Sequence, residues 1–268
     1  MIERITEGTN ALRARVALFD FDGTLSLVRA GWMDVMVPMM VELLAEHKSG
    51  ESEAELTEIV REYVGRLTGK QTMYQMIELA NEIEKRGGKP LDPLVYKRMY
   101  SDRLMEKIVD RIEELKSGAV SPEKYLVPGS IELLEGLKAR GLKMYLASGT
   151  DEVYMKEEAR LLGVDKYFDG GVYGALDDYL AFSKAILIQR IIESAESKGE
   201  EFLGFGDGYV EIENVHRVGG ITVGVASDEP ECLKVDEWKR ERLVNVGADF
   251  IVPNFAAYTQ LLATLFPQ

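Results

Sequence analysis

One short segment near the start of the chain constrains the fold more than any other. Residues 16–19 are Val-Ala-Leu-Phe, and Asp20, Phe21, Asp22 and Gly23 follow directly. An unbroken apolar run with β-branched and aromatic residues is typical of a strand buried on both faces, as in parallel sheets. In parallel α/β proteins, ligands bind in the crevice at the carboxyl ends of the strands. We therefore expect Asp20 and Asp22 to lie in such a crevice.

The two aspartates allow three chemical interpretations. Side chains two residues apart on an extended chain point to the same side. Two carboxylates held this close repel each other unless a cation lies between them or one of them is protonated. The pair can hold Mg²⁺, can combine a nucleophile with an acid/base, or can belong to an ordinary strand-end turn, because Asp and Gly are common turn residues. This segment alone leaves all three open.

Strand and helix patterns alternate through the second half of the chain, whereas residues 2–14 form only an amphipathic or irregular lead. Strands that alternate with helices at this spacing predict a parallel sheet covered by helices on both faces. The predicted strands of this half are residues 142–147, 171–175, 201–205, 221–226 and 250–252.

Residues 26–120 have a different pattern, with helical spacing of the apolar residues throughout. Pro93 suits the first turn of a helix. Pro38 lies inside a predicted helix and is expected to kink or divide it. The predicted helices of this segment are residues 30–47, 53–67, 72–85 and 93–116.

Four short segments place acidic, hydroxyl or amine side chains just after a strand or at the start of a helix. They are residues 16–25, 142–150, 183–187 and 202–211. In this order they resemble the four motifs of the haloacid dehalogenase superfamily, within its phosphoglycolate phosphatase and β-phosphoglucomutase-like subgroup. The resemblance implies a Rossmann-like, doubly wound α/β core of residues 1–25 and 121–268. It also implies an α-helical cap domain of residues 26–120, inserted after the first motif.

The resemblance implies distinct roles for the two aspartates. Asp20 would be the nucleophile that forms an aspartyl-phosphate, which divides one difficult displacement into two easier steps. Asp22 would be the acid/base that protonates the leaving group and then activates water. Dehalogenases of the superfamily lack this second aspartate, so its presence favours phosphate esters as substrates.

The other motifs supply the expected phosphate and metal sites. By the resemblance, Ser148, the amide of Gly149 and Lys184 would bind phosphoryl oxygens. Mg²⁺ would be held by Asp20, the backbone carbonyl of Asp22 and Asp207. Glu211 stands where the superfamily more often has Asp, and its longer side chain would reach the metal directly or through water.

Four residues of the helical segment are expected to select the substrate. Arg29 and Trp32 lie just past the first motif, and Lys70 and Gln71 follow a glycine in a predicted loop. A cap that closes over the core excludes water and contributes specificity.

The charge balance and cysteine content narrow the expected partners. The 32 basic and 46 acidic side chains give a net charge of −14, which repels nucleic acids and anionic lipids at long range. A phosphorylated substrate must therefore be attracted locally, by a metal and a lysine. The single cysteine, Cys232, cannot form an internal disulfide. With no signal-peptide pattern at residues 1–15 and no apolar run of membrane-spanning length, we expect a cytoplasmic protein.

These features lead to three functional hypotheses. The first is a Mg²⁺-dependent phosphatase that hydrolyses a small phosphorylated metabolite, such as a sugar phosphate or a phosphoglycolate-like monoester. The second keeps the aspartyl-phosphate but returns the phosphoryl group to a sugar, as in a phosphomutase of the β-phosphoglucomutase type. The third is a protein that binds phosphorylated metabolites without turnover and regulates a partner.

Overall fold

A computed structural model describes residues 2–47, 49–176, 184–194 and 197–268. These residues form a seven-stranded sheet in the order β1-β7-β6-β5-β2-β3-β4, in which only β1 runs antiparallel to its neighbour. The doubly wound α/β fold predicted from the alternating pattern is thus confirmed. The strands are β1 Glu3–Arg4, β2 Val16–Phe19, β3 Lys143–Asp151, β4 Gly171–Ala175, β5 Phe202–Gly206, β6 Ile221–Val225 and β7 Phe250–Val252.

Ten α-helices lie within the described residues, five of them between β2 and β3. None of the helices in those ranges is long and apolar enough to cross a membrane. The helices are α1 Met33–Ala45, α2 Glu53–Leu67, α3 Thr72–Lys85, α4 Pro93–Ser117, α5 Ser130–Lys138, α6 Glu152–Leu161, α7 Lys184–Ser194, α8 Tyr209–Arg217, α9 Glu237–Asn245 and α10 Tyr258–Leu265. The sequence also predicts a helix over residues 183–196, of which residues 183, 195 and 196 lie outside the described residues.

Strand β2 occupies the centre of the sheet, between β3 and β5. All four of its residues are buried, as the unbroken apolar run predicts. The ring of Phe19 stacks on that of Phe205 with 4.3 Å between centroids, which anchors β2 to β5. Because β2 and β5 are parallel neighbours, Asp20 and Asp207 leave the sheet at the same edge. From β2 the sheet continues to β3 and β4 on one side and to β5, β6 and β7 on the other. Open α/β sheets bind ligands at such a point, where the strand order reverses.

The first four of the five helices between β2 and β3, α1 to α4, form a unit that we call the cap. Helices α2 and α3 have the bounds predicted from the sequence. A capping box of Ser52 and Glu55 begins α2, since the two side chains bond to backbone N–H groups that have no partner within the helix. Helix α4 ends at Gly118, whose left-handed φ of 69° suits a helix C-terminus. The boundaries of a separate cap domain, residues 26–120, stay a prediction.

The structure corrects two expectations. Helix α1 continues through Pro38, so the expected division does not occur, whereas the expected kink stays a prediction. Proline cannot donate to the carbonyl of Asp34. Met36, Met39 and Met40, around Pro38, are fully buried, and this packing offsets the lost hydrogen bond. Within the lead segment, Glu3–Arg4 pairs with β7 as an edge strand. Two residues are too few to show the alternation that predicts a strand.

Candidate active site

A cavity of about 110 Å³ lies between the carboxyl edge of the sheet and the cap. Parallel strands bring the residues that follow them to this edge, and α1, α3 and α4 cover it from above. The sheet side contributes Asp20, Asp22, Gly149, Thr150, Lys184 and Asp207, and the cap side includes Arg29, Trp32, Lys70, Gln75, Lys97 and Tyr100.

Asp20 is held rigidly at the end of β2. Its Oδ1 accepts a hydrogen bond from its neighbour Phe21 N at 2.7 Å and an ion pair from Lys184 Nζ at 2.7 Å. Its Oδ2 has no hydrogen bond from the described residues and faces the backbone of Gly208. Burial, together with the nearby charge of Asp207, raises the pKa of Asp20 to about 6 against the opposing effect of the Lys184 ammonium. A cation beside Asp20 would favour its ionised form.

Lys184 and Glu211 form a buried pair behind Asp20. Lys184 begins α7 and is only 3% exposed, and its ammonium contacts both Asp20 and Glu211. The carboxylate of Glu211 is fully buried and has no other hydrogen bond within the described ranges. In this arrangement Glu211 orients Lys184. Direct contact of Glu211 with a metal stays a prediction.

Asp22 has one oxygen fixed and one available. Its Oδ2 accepts hydrogen bonds from the hydroxyls of Thr150 at 2.8 Å and Ser148 at 3.2 Å. Its Oδ1 is buried without a hydrogen-bond partner in the part of the chain that is described. Ser148 is buried and points at Asp22, so its predicted contact with phosphate stays a prediction, whereas Gly149 borders the cavity. A carboxylate oriented by two hydroxyls, with one oxygen available, suits proton transfer.

Asp207 directly follows β5 and is fixed from two sides. Its backbone N–H donates to Thr24 Oγ1 at 2.8 Å, and its Oδ2 accepts from Lys239 Nζ at 3.0 Å. Lys239 also pairs with Glu229, and these two carboxylates raise the pKa of Lys239 against the effect of its burial. Gly23 makes room for this arrangement, because a Cβ at that position would lie 2.3 Å from Asp207 Oδ2.

The oxygens at this edge fit a small hard cation. Mg²⁺ is usually bound by one or two carboxylates and keeps several waters. Asp20 and Asp207 border one cavity, and Asp20 Oδ2 lies 3.7 Å from the position of a Cβ on Gly208, the residue after Asp207. Within the described ranges, no three acidic, histidine or cysteine side chains converge as a metal cluster. The carboxylate oxygens of Asp20 and Asp207 are of the kind that hard divalent cations bind.

The cap touches the sheet edge through the loop that carries Gly69 and Lys70. A Cβ on Gly208 would lie 2.8 Å from the Cα of Gly69, and a Cβ on Gly149 would lie 3.1 Å from the carbonyl oxygen of Lys70. Both contacts are backbone approaches that need glycine on the sheet side. The cap loop thus closes directly over two of the predicted motifs.

The predicted specificity residues divide into two groups. Arg29, Trp32 and Lys70 border the cavity, whereas Gln71 is buried beside it. Arg29 is held by Glu158, through Nε at 3.1 Å and Nη2 at 2.6 Å. The role of these four residues in substrate selection stays a prediction.

Sequence reasoning missed several residues of the site. Lys97 of α4 borders the cavity and forms an ion pair with Asp151 at 2.6 Å. Thr150 ends the second motif and Asp151 follows it, so the strand-end position of this motif was a usable signal for them. Lys97 lies on α4 and Lys239 on α9, and no local sequence pattern separates these two lysines from surface lysines.

Comparisons with known proteins agree with this architecture. A family model described as haloacid dehalogenase-like hydrolase matches residues 14–219. A 5'-nucleotidase from Pseudomonas aeruginosa is 31% identical over 103 residues, which are 38% of this chain and 46% of that protein. The match therefore spans less than half the length of that curated relative.

Two solved structures are similar over nearly the whole chain. One is a predicted phosphoglycolate phosphatase from Haemophilus somnus 129PT, with a TM-score of 0.57 and 14% identity, covering 93% of this chain and 98% of that one. The other is a haloacid dehalogenase family hydrolase from Deinococcus radiodurans R1 with bound phosphate and sodium. Its TM-score is 0.54 at 15% identity, with 94% of this chain and 96% of that one covered. At these identities the likeness concerns the fold.

Proposed function

This chain belongs to the haloacid dehalogenase-like hydrolase family, and we propose that it is a Mg²⁺-dependent phosphatase acting on a small phosphorylated metabolite. The observation that carries the proposal is the unequal environment of Asp20 and Asp22. An ammonium and an amide hold one oxygen of Asp20, whereas two hydroxyls orient Asp22 and leave its other oxygen without a partner. Neighbouring carboxylates with different surroundings take different roles in acid/base and nucleophilic chemistry.

In the proposed first step, Asp20 attacks phosphorus. A bond forms between a carboxylate oxygen of Asp20 and phosphorus, the bond from phosphorus to the ester oxygen breaks, and Asp22 gives a proton to that leaving oxygen. In the second step, Asp22 takes a proton from water, which attacks the aspartyl-phosphate and releases phosphate and free Asp20. The amide of Gly149 and the ammonium of Lys184 stabilise charge on the phosphoryl oxygens.

The proposed metal ligands are Asp20, the backbone carbonyl of Asp22 and Asp207, with Glu211 acting through Lys184. When bound, Mg²⁺ supplies positive charge beside the phosphoryl group. Lys184 keeps Asp20 in place, and the closed cap limits the access of water to the cavity.

The substrate proposal follows from the size and charge of the cavity. A space of about 110 Å³ suits a small organic group. Arg29, Lys70 and Lys97 bring cations to its cap side, although Arg29 and Lys97 are also paired with carboxylates. The cap residues Arg29, Trp32, Lys70 and Gln71 are the proposed determinants of specificity.

Phosphate release from a panel of substrates tests this proposal. The purified protein is assayed with an aryl phosphate, sugar phosphates, phosphoglycolate and nucleoside monophosphates, in Mg²⁺ and in excess chelator. We expect release that depends on Mg²⁺, with one class of ester preferred. If hexose phosphate gives an isomer instead of free phosphate, the protein is a mutase. If ligands bind in Mg²⁺ without turnover, it is a regulator, and either result rejects the phosphatase.

The contact between Gly69 and Gly208 makes cap closure testable. Gly208 has φ −93° and ψ 162°, which alanine adopts without backbone strain, so the cost of Gly208→Ala lies in its contact with the Gly69 backbone, and we expect a modest fall in the thermal unfolding midpoint. The added methyl would stand 2.8 Å from the Cα of Gly69 and push the loop away by about 1 Å. A misplacement of that size costs roughly 10²-fold, so we expect a fall of that order in kcat/KM. An unchanged kcat/KM would mean that turnover does not require this closed contact.

A further inference from the structure

A buried charged pair lies behind Asp207, on the side away from the cavity. Lys239 of α9 contacts Asp207 Oδ2 at 3.0 Å and also pairs with Glu229. The side chains of all three residues are no more than 16% exposed. Asp207 borders the cavity, whereas neither Lys239 nor Glu229 does. Asp207 therefore contacts both the cavity and the pair of Lys239 and Glu229, which has no role in the proposed reaction.

The packing around Gly23 brings two carboxylates together at this point. A Cβ on Gly23 would lie 2.3 Å from Asp207 Oδ2 and 2.8 Å from Glu229 Oε1. Those two oxygens are therefore at most 5.1 Å apart, the sum of the two distances. Carboxylates this close repel each other in a buried site, and the ammonium of Lys239 contacts both. Lys239 is thus the cation that keeps Asp207 and Glu229 side by side.

Because Lys239 occupies Oδ2, only the other oxygen of Asp207 remains for a ligand in the cavity. The backbone N–H of Asp207 is also fixed, by Thr24 Oγ1. A carboxylate held in this way favours binding a cation through its other oxygen alone, because the ammonium competes with the cation for Oδ2. We propose that Lys239 is a positioning residue that restricts Asp207 to one-oxygen coordination and thereby favours Mg²⁺ over Ca²⁺. This inference rests on the metal site of the proposed function.

The selectivity follows from the coordination chemistry of the two ions. Mg²⁺ requires near-octahedral geometry and is commonly bound through single carboxylate oxygens. Ca²⁺ accepts six to eight oxygens in flexible geometry, and carboxylates often bind it through both oxygens. Freeing Oδ2 of Asp207 would therefore help Ca²⁺ and loosen the geometry that Mg²⁺ needs. Removing the charge of Lys239 acts on both divalent ions alike, so the ratio of their dissociation constants isolates the positioning effect.

The test is calorimetric titration of the metal-free protein with MgCl2 and, separately, with CaCl2. In Lys239→Met we expect the ratio of the Ca²⁺ to the Mg²⁺ dissociation constant to fall about tenfold, the effect of one charge-assisted hydrogen bond. Lys239→Arg keeps a charged donor and should restore much of the ratio. Arg240→Met removes a charge from the same helix, where Arg240 pairs with Glu3, and should leave the ratio unchanged.

A second variant covers the case in which Lys239→Met does not fold. The double variant Lys239→Met/Glu229→Gln has the same net charge as the natural chain and one fewer buried carboxylate, and the same fall is expected. If the natural chain does not bind Mg²⁺, both the proposed metal site and this inference fail. If it binds Mg²⁺ but the ratio changes less than about twofold in Lys239→Met and in the double variant, the positioning role is wrong and the proposed phosphatase stands.

Discussion

Asp20→Asn is expected to reduce aryl phosphate hydrolysis by roughly 10⁴-fold or more, the scale seen when a nucleophile is removed. The amide has the shape of the carboxylate, and its oxygen still accepts from Phe21 N, as Asp20 Oδ1 does at 2.7 Å. It lacks the negative charge that attacks phosphorus. Lys184 keeps Glu211 as a partner in the variant, so the surroundings should not collapse.

The same substitution is not expected to weaken the fold. Burial raises the pKa of Asp20 to about 6, which means that the folded protein holds this carboxylate in its charged form at a cost. Asparagine removes that cost, so the free energy of unfolding should stay the same or increase. Urea unfolding followed by circular dichroism measures it.

The control for Asp20→Asn is Asp34→Asn, at an exposed aspartate of α1 that pairs with Lys107 at 3.2 Å. This variant should keep full activity. Intact mass must show that the amide at position 20 has not deamidated, since deamidation would restore the nucleophile. Turnover by a verified Asp20→Asn protein at the natural rate would refute the nucleophile.

Lys184→Met is expected to lower both the rate of phosphate hydrolysis and the free energy of unfolding. The ammonium is the partner of Asp20 and of Glu211, whose carboxylate is fully buried without another hydrogen bond from the described residues. Removing one member of a buried ion pair leaves an uncompensated charge and costs about 3–5 kcal/mol of unfolding free energy. Activity should fall roughly 10²–10³-fold, because a charge that stabilises the transition state is also lost.

A double variant separates the two effects of Lys184. In Lys184→Met/Glu211→Leu, an apolar pair replaces the ion pair, and such replacements are often neutral or stabilising. We expect urea unfolding to show most of the stability restored, while turnover stays as low as in Lys184→Met. Recovery of activity in the double variant would assign Lys184 a purely structural role.

The matched surface control is Lys156→Met. Lys156 pairs with Glu152 on α6 and is half exposed. Exposed ion pairs contribute about 1 kcal/mol or less, so this variant should keep its activity and nearly all of its stability. If Lys156→Met lost as much unfolding free energy as Lys184→Met, burial of the ion pair would not be what determines the destabilisation.

The strand ends were predictable because their signals are local. The apolar run of β2 and its following aspartates are contiguous, so periodicity and turn chemistry identify both the strand and the residues at its end. The same holds for Asp207 after β5. Helices α2 and α3 were predicted at their observed bounds for the same reason, whereas Pro38 does not divide its helix, because core packing outweighs the loss of one hydrogen bond.

The partners of the site residues were not predictable in this way. Asp22 bonds to Thr150, which lies 128 residues away, and Asp207 bonds to Thr24, 183 residues away. The ion pair between Lys184 and Glu211 also joins two different helices. No periodic pattern encodes such contacts, since they depend on how helices pack on the sheet.

The sequence by itself determined the α/β class and the identity of the side chains at the sheet edge, because the spacing of apolar residues fixes where strands end. Only the tertiary structure decided that Ser148 orients Asp22, that Glu211 holds Lys184, and that Lys239 fixes Asp207 from behind. The physical reason is that a charged side chain in a buried site forms an ion pair with the nearest side chain of opposite charge. Which charge is nearest is known only once distant segments are packed together.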